Sequence, residues 1–448
     1  MARFYMGAVL KVHISKSDIA IVHCTLNIVH CLGVVMEQLI FRAAVIGGGA
    51  AGLTAAIGWS RQLGKGQVIL LEKQHKTGRK LLATGNGRCN ISNEGVSPAH
   101  YHGDEKIIHS VLSHFSVSDM KDFFHGLGVW LRSDSEGRIY PYSNQAVTIA
   151  EALQRECRRY GVQERPDCHI QSVRKEKGRF IITAEDCTIR CDILIIACGS
   201  QAAPSLGADD SGYRLLKSFG MEPTPLFPAL SPLTMQEKRR SLKGIRAKGQ
   251  AVLLADGKPL RRTEGEIQFT DYGLSGICIF ELSRPVNEFF TIGTADGQHY
   301  KQLQIALDVL PDYSFREVCD FLEETKKLYV EECAGSLLSG LLPQKLAEEI
   351  ARTCHVAEKS CKALTVQDIR QLTGCAKRLI FTPCKCSDFA SAQVSAGGID
   401  SRFVDPATLM ARQTKNLFLC GEILDVDGDC GGYNLHFALG SALLMHNS

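Results

Sequence analysis

The stretch FRAAVIGGGAAGLTAAIGWSRQLG, residues 41–64, leaves this chain few folds to choose from. Its apolar start at 41–46 reads as a buried strand, glycines follow, and a run rich in Ala, Leu and Ile reads as a helix. Gly47, Gly49 and Gly52 complete a G-x-G-x-x-G pattern. The first glycine permits a tight turn, the second lets backbone approach a pyrophosphate, and the third lets helix pack on strand. Ala50 and Ala51 fall between them, where free N–H groups and the positive dipole end of the helix would face phosphates. With 41 glycines in the chain, the pattern alone is weak. Its surroundings strengthen it. QVILLEK at 67–73 reads as a second buried strand ending at Glu72, with Lys73 beside it. A carboxylate about twenty residues past the motif accepts hydrogen bonds from ribose hydroxyls, and an acid there favours an unphosphorylated ribose, as in FAD or NAD. The expected fold class is α/β with a Rossmann-like dinucleotide site.

At 448 residues the chain is too long for one ordinary core, so two or three domains are expected, one of them inserted into another. A hydrophobic content of 45% with 22% charged residues is that of a soluble globular protein, and a formal charge of +3 gives no ground for a nucleic-acid or membrane partner. The 18 cysteines are scattered without a CxxC pair, which argues against a zinc ribbon or a dithiol relay and for reduced thiols in the cytoplasm. No metal site is expected. IAIVHCTLNIVHCLGVV at 19–35 is apolar, but His23, Asn27 and His30 interrupt it at a cost too high for a membrane span. Residues 1–40 are therefore read as an N-terminal extension outside the core fold, with the first strand beginning near Phe41.

GRKLLATGNGRCNIS, residues 78–92, is a basic loop broken by glycines at 78, 85 and 87. No Lys-Ser or Lys-Thr pair follows Gly85 at P-loop spacing, and Cys89 has no second cysteine nearby for disulfide-reductase chemistry. What remains is a loop that lays backbone amides and cations against a bound dinucleotide. Its candidate residues are Arg79, Lys80, Gly85, Asn86, Gly87, Arg88, Cys89 and Asn90.

Together with GEILDVDGDCGGYNLHFALGSA at 421–442, this loop resembles the HI0933-like flavoproteins, also described as the aminoacetone oxidase family or BaiN-type reductases, over roughly residues 40–445. The resemblance implies that the dinucleotide is FAD. It implies a two-part FAD-binding domain, 41–202 and 376–448, with a β-barrel and helical substrate domain inserted at 203–375. The residues read in agreement. CDILIIACGS at 191–200 is a buried strand ending in a small turn, where Ala197 and Gly199 would pass close to the cofactor. Val173, in the preceding β-meander, is placed near the adenine by analogy. The proline-rich MEPTPLFPALSPL opens the insert, short alternating strands follow, and a helical run covers about 313–374. Gly421 and Glu422, with Asp425 behind, would bind the ribitol or pyrophosphate region. Past Gly431 and Gly432, the helix beginning at Tyr433 and Asn434 would aim its amides at the flavin pyrimidine.

These features lead to an FAD-dependent oxidoreductase that passes a hydride between NADH or NADPH and a small organic acceptor. The resemblance implies either reduction of an enone, such as a steroid-like bile acid intermediate, or oxidation of an amine of the aminoacetone type. There is no second G-x-G-x-x-G after a strand, so the nicotinamide must reach the flavin through the cleft beside the insert. Two alternatives remain: an FAD-dependent RNA-modifying protein using the basic stretch KRRSLKGIRAKG at 238–249, and a flavin-binding protein without turnover. That stretch lacks interleaved aromatics, which favours a solvated loop. His125 and His436 are more readily packed or solvent-facing than catalytic, and no catalytic residue is assigned.

Overall fold

The structure, a computed structural model, describes residues 37–445. The first three elements follow the expected order of strand, helix and strand, β1 (Glu37–Ile46), α1 (Ala50–Leu63) and β2 (Val68–Leu71), and further on lies α2 (Ala146–Arg159). Then come β3 (Gln163–Arg165), β4 (Ile170–Glu176), β5 (Arg179–Ala184) and β6 (Cys187–Ile196). β3, β2, β1 and β6 are parallel neighbours, and β5 and β4 add an antiparallel meander to β6. Parallel strands covered on both faces should be continuously apolar. Ala43, Ala44, Val45 and all of β2 are accordingly buried.

β1 begins at Glu37, four residues before the expected start. β6 is equally long and pairs with it from Glu37↔Cys187 onward. Arg165 then bridges Glu37 and Asp186 at 2.7 Å each, tying the strand ends together. The remainder of the expected extension, residues 1–36, lies outside the described residues.

The middle of the chain builds its own core. β7 (Leu233–Thr234), β8 (Arg246–Ala255), β9 (Lys258–Phe269), β10 (Gly273–Ser275), β11 (Leu303–Asp308) and β12 (Leu379–Phe381) form an antiparallel sheet in the order β7-β10-β9-β8-β11-β12. Its two edges meet. Met235 bridges Pro383, and Gln236 and Cys384 donate backbone N–H groups to Thr382 and Thr234 at 2.8 and 3.1 Å. The sheet is thus a closed six-stranded barrel, which leaves no edge for aggregation. Against it lie α3 (Ile277–Ile292), α4 (Phe315–Leu328), α5 (Gln344–Thr353) and α6 (Val366–Lys377). Capping boxes start two of these helices, Ser314 with Glu317 and Thr365 with Asp368. Fully buried Leu282, Leu307, Leu346 and Leu372 belong to this second core. Burying side chains of that size is worth about 1.5–3 kcal/mol each.

The chain then returns to the first core through β13 (Leu417–Leu419) and α7 (Tyr433–Leu444). β6 is shared. Its first half pairs with β5, and its second half, Leu194–Ile196, pairs in parallel with β13. α1 is packed between α2 and α7, which explains why its buried residues run unbroken from Ala51 to Ser60. Among the described residues no helix is long and apolar enough to cross a membrane.

Candidate cofactor and active site

A cavity of about 1040 Å³ lies between the two cores. One wall comes from the glycine turn, β2 and the α7 turn. The other comes from β9 and α3 of the inserted unit. That volume is just above the roughly 300–1,000 Å³ typical of ligand sites, large enough for a dinucleotide.

Gly47 adopts φ +104°, and a Cβ there would approach the Ala197 carbonyl oxygen to 2.4 Å. Only glycine fits so tight a turn against the end of β6. Gly52 holds the third position for packing, since a Cβ would meet the Gly47 oxygen at 1.8 Å. A Cβ on Gly49, by contrast, would meet nothing within 4 Å. It opens onto the cavity and caps α1 with no side-chain hydrogen bond, leaving the first amides free. α7 starts in the same way behind Gly432, without a side-chain cap or an acid in its first turn. Two uncapped helix N-termini therefore open onto one cavity and favour negative charge there.

The carboxylate of Glu72 is fixed by the amides of Gly48 (2.6 Å) and Gln74 (2.8 Å), which leaves lone pairs for a ribose. Lys73 pairs with Asp209 at 2.5 Å. In the basic loop, Gly85, Asn86 and Gly87 all have positive φ, a run that glycine and asparagine tolerate. This winds the loop so that Arg79, Lys80, Gly85, Asn86, Arg88 and Asn90 line the cavity. Arg88 stacks on Tyr140 with its guanidinium 5.1 Å from the ring centre. Lys80 donates to Glu422 at 2.7 Å, and the other oxygen of Glu422 accepts the Ser395 amide at 2.9 Å. Among the described residues, the buried Oδ1 of Asn90 has no hydrogen-bond partner. A buried acceptor left this way calls for a donor on a bound group.

Ala50, Ala51, Ala197, Gly199, Gly421, Gly431, Gly432, Tyr433 and Asn434 also line the cavity, as the sequence suggested. Gly52, Gly87, Cys89, Val173 and Asp425 do not. Cys89 is fully buried, and burial pushes its thiol up to about 12, so it packs as a small apolar residue. Gly87 shapes the loop from outside. Val173 turns into the first core, and Cys168, His169 and Ile170 take the place expected of it on the cavity wall. Asp425 faces Thr224, and burial raises its carboxyl to about 6.

His436 is fully buried, with Ser92 at 2.8 Å and the Phe115 carbonyl at 3.1 Å on its two ring nitrogens, and burial lowers its pKa. It holds α7 in place. His125 is exposed. The basic stretch at 238–249 is largely neutralised: Arg239, Lys243, Arg246 and Lys248 pair with Glu349, Asp271, Glu266 and Asp312.

The sequence reading missed the second wall. Glu264, Glu266 and Gln268 point to the cavity from one face of β9, while Thr263, Ile267 and Phe269 are buried. This alternation is visible in TEGEIQF. On α3, Ile277, Phe280 and Glu281 reach the cavity at helical spacing. Asp429 was also missed; it lies between His102 at 3.0 Å and His100 at 3.2 Å, and His100 stacks on Tyr433 with ring centres 4.4 Å apart.

The family model described as the HI0933-like protein Rossmann domain matches residues 41–447. The chain belongs to the HI0933-like family. With that membership come a Rossmann-type FAD-binding fold and the class of FAD-dependent oxidoreductase. This HI0933-like protein is 34% identical to a 3-dehydro-bile acid delta(4,6)-reductase of Clostridium scindens, across 90% of this chain and 97% of the relative. It is 28% identical to a ribosomal RNA dihydrouridine synthase of Escherichia coli, across 90% and 96%. Among solved structures, a 3-ketosteroid delta1-dehydrogenase from Sterolibacterium denitrificans is similar at a TM-score of 0.47 and 11% identity, over 91% of this chain and 99% of that one.

Proposed function

We propose that FAD is bound along this cavity and that the protein uses NADH or NADPH to saturate a carbon–carbon double bond conjugated with a carbonyl in a small organic acceptor. The observation that carries this reading is the single cavity onto which two uncapped helix N-termini open, facing the polar edge of the barrel. FAD, when bound, supplies the hydride. The segments 41–221 and 399–445 form the cofactor unit and 233–384 the substrate unit; the boundaries expected at 203 and 375 shift because Tyr213, Leu216 and Met221 lie in the first core and β12 lies in the barrel. In the cofactor unit, the amides behind Gly49 and the Lys80 cation hold the pyrophosphate, Glu72 holds a ribose, and the amides at Tyr433 and Asn434 stabilise negative charge on the flavin pyrimidine. β9 and α3 bound the acceptor. The reductase and the dihydrouridine synthase both have names that describe saturation of such a bond, which favours reduction over amine oxidation. The described cysteines are free thiols, in keeping with a cytoplasmic setting.

A second reading keeps the chemistry and changes the acceptor to uridine in ribosomal RNA. The match to the dihydrouridine synthase favours it, and the pairing of the 238–249 cations counts against it. One experiment separates them. The FAD-loaded protein is bleached anaerobically with NADH or NADPH, then offered a cyclic enone or a ribosomal RNA fragment at several salt concentrations. Rapid reoxidation by the enone supports the first reading. Reoxidation by RNA alone, lost steeply with salt, supports the second. Folded protein that takes up no FAD sinks both.

A further inference from the structure

A hydride delivered to one carbon of a conjugated double bond leaves the neighbouring carbon in need of a proton, which an acid placed on the cavity wall supplies in the transition state. The carboxyls on the cavity wall divide by what they already do. Glu72 and Glu422 accept backbone amides, and Asp209 and Asp429 are held by Lys73 and by the two histidines. Glu136 and Glu266 pair with Arg138 and Arg246. Among the described residues, only Glu264 and Glu281 line the cavity with carboxyls that make no hydrogen bond or ion pair, and Glu264 is exposed.

Glu281 is half-buried on α3, one turn in from the helix start. It shares the cavity wall with the α7 turn, close enough that the charge of Asp429 acts on it and that its own charge acts on Cys430 and Tyr433. Phe280 beside it packs on the same small apolar cluster as Cys430, which fixes α3 against that turn. The α7 turn is where the flavin ring is placed above, so a substrate lying on the ring would meet this carboxyl from the barrel side.

We propose that Glu281 is the catalytic acid, supplying the proton that the substrate takes at the carbon next to the one that receives hydride. The assignment rests on the reading of the cavity as a flavin site for conjugated acceptors. In the step, one C=C π bond breaks and two C–H bonds form. The electron pair comes with the hydride from the reduced cofactor, the proton leaves the Glu281 carboxyl, and water returns a proton to the carboxylate. Burial, with Asp429 adding repulsion against the weaker pull of Arg261, raises this carboxyl to about 7. Cys278 on its own helix and Cys430 and Tyr433 on the α7 turn are the other titratable groups beside it, and each of them is shifted upward by burial. A carboxyl poised near neutrality is matched to proton donation at physiological pH.

The test uses the full-length FAD-loaded protein, its Glu281→Gln and Glu324→Gln variants, and 2-cyclohexen-1-one as the acceptor probe. Bleaching by nicotinamide nucleotide is expected to be unchanged in both variants. Reoxidation by the enone should slow by about 10²–10⁴-fold in E281Q, with loss of the fall in rate that the wild type shows as pH rises through 7. E324Q, an exposed position on α4 that does not line the cavity, should behave as wild type. Independently of turnover, ¹³C-glutamate NMR should show one carboxyl titrating near 7 that is missing in E281Q. Wild-type reoxidation by E281Q with the pH dependence intact, or an ordinary titration of Glu281, overturns the proposal. Wild-type protein that the enone never reoxidises takes down the reading of the site and this assignment with it, while the NMR titration separates the two failures.

Discussion

Two glycines three positions apart have opposite tasks. A side chain at Gly49 would project into open cavity, whereas one at Gly52 would drive into the Gly47 carbonyl at 1.8 Å. Gly49→Val should leave the melting transition within about 1 kcal/mol of wild type, the scale of a change at a helix N-cap, and lower FAD affinity by orders of magnitude. Gly52→Val should lose about 3 kcal/mol or more, from overpacking without a flexible neighbour to yield. Thermal melts with and without FAD check the pair; normal FAD occupancy in Gly49→Val would show the phosphate site to be elsewhere. These roles were legible because they depend on spacing within one turn. Cys89 was not, since its loop is polar and nothing local reveals that its side chain turns back into the core. Glu281 was hidden for the converse reason: its helix reads as an ordinary amphipathic element, and the α7 turn that completes the cavity beside it lies more than a hundred positions away.

Among elements, the link that matters most to the cofactor is the Lys80–Glu422 pair, which joins the basic loop to the turn after β13. Lys80→Met removes a cation from the cavity and leaves Glu422 with only the Ser395 amide. FAD should then bind about tenfold or more weakly, in line with loss of a charge-assisted contact worth about 1.5–3 kcal/mol. Flavin fluorescence titration measures this, and unchanged affinity would place the pyrophosphate away from Lys80. The strand-turn-helix and the barrel strands were readable from period and alternation. The closing bridge of the barrel, Met235 to Pro383, was not, because the register between segments about 150 residues apart leaves no local trace. β1 also began earlier than its apolar core suggested, since pairing with β6 recruits the polar residues Glu37 and Gln38.

At the scale of the whole molecule, the two cores are locked by Arg284. Its guanidinium reaches from α3 to Asp427 at 3.0 Å and to Glu288 at 3.4 Å, over the ring of Phe227. Asp427 is 2% exposed and lies in a strand paired with Tyr101–Gly103. Breaking a buried pair from one side strands the other charge, so Arg284→Ala should destabilise by about 3–5 kcal/mol, read from denaturant unfolding. The transition should also become broader or biphasic as the inserted unit separates from the cofactor unit; a single transition with unchanged midpoint would mean that the units are held by other contacts. Two cores could be read from length and from the change of texture near residue 203. The lock between them could not, because Arg284 and Asp427 each look like ordinary surface charges in sequence.

The division of β6 between two partners sets an order of events during synthesis. One of its edges lies along β1; on the other, the N-terminal half is paired as soon as the meander is made, but the second half waits for Leu417–Leu419, and Lys80 waits for Glu422. Between them the chain must fold a complete barrel with its own apolar interior. Contacts of such high sequence separation form late, after the local ones have reduced the search. Capture of the cofactor therefore needs the α7 turn, which is made only after every strand of the barrel.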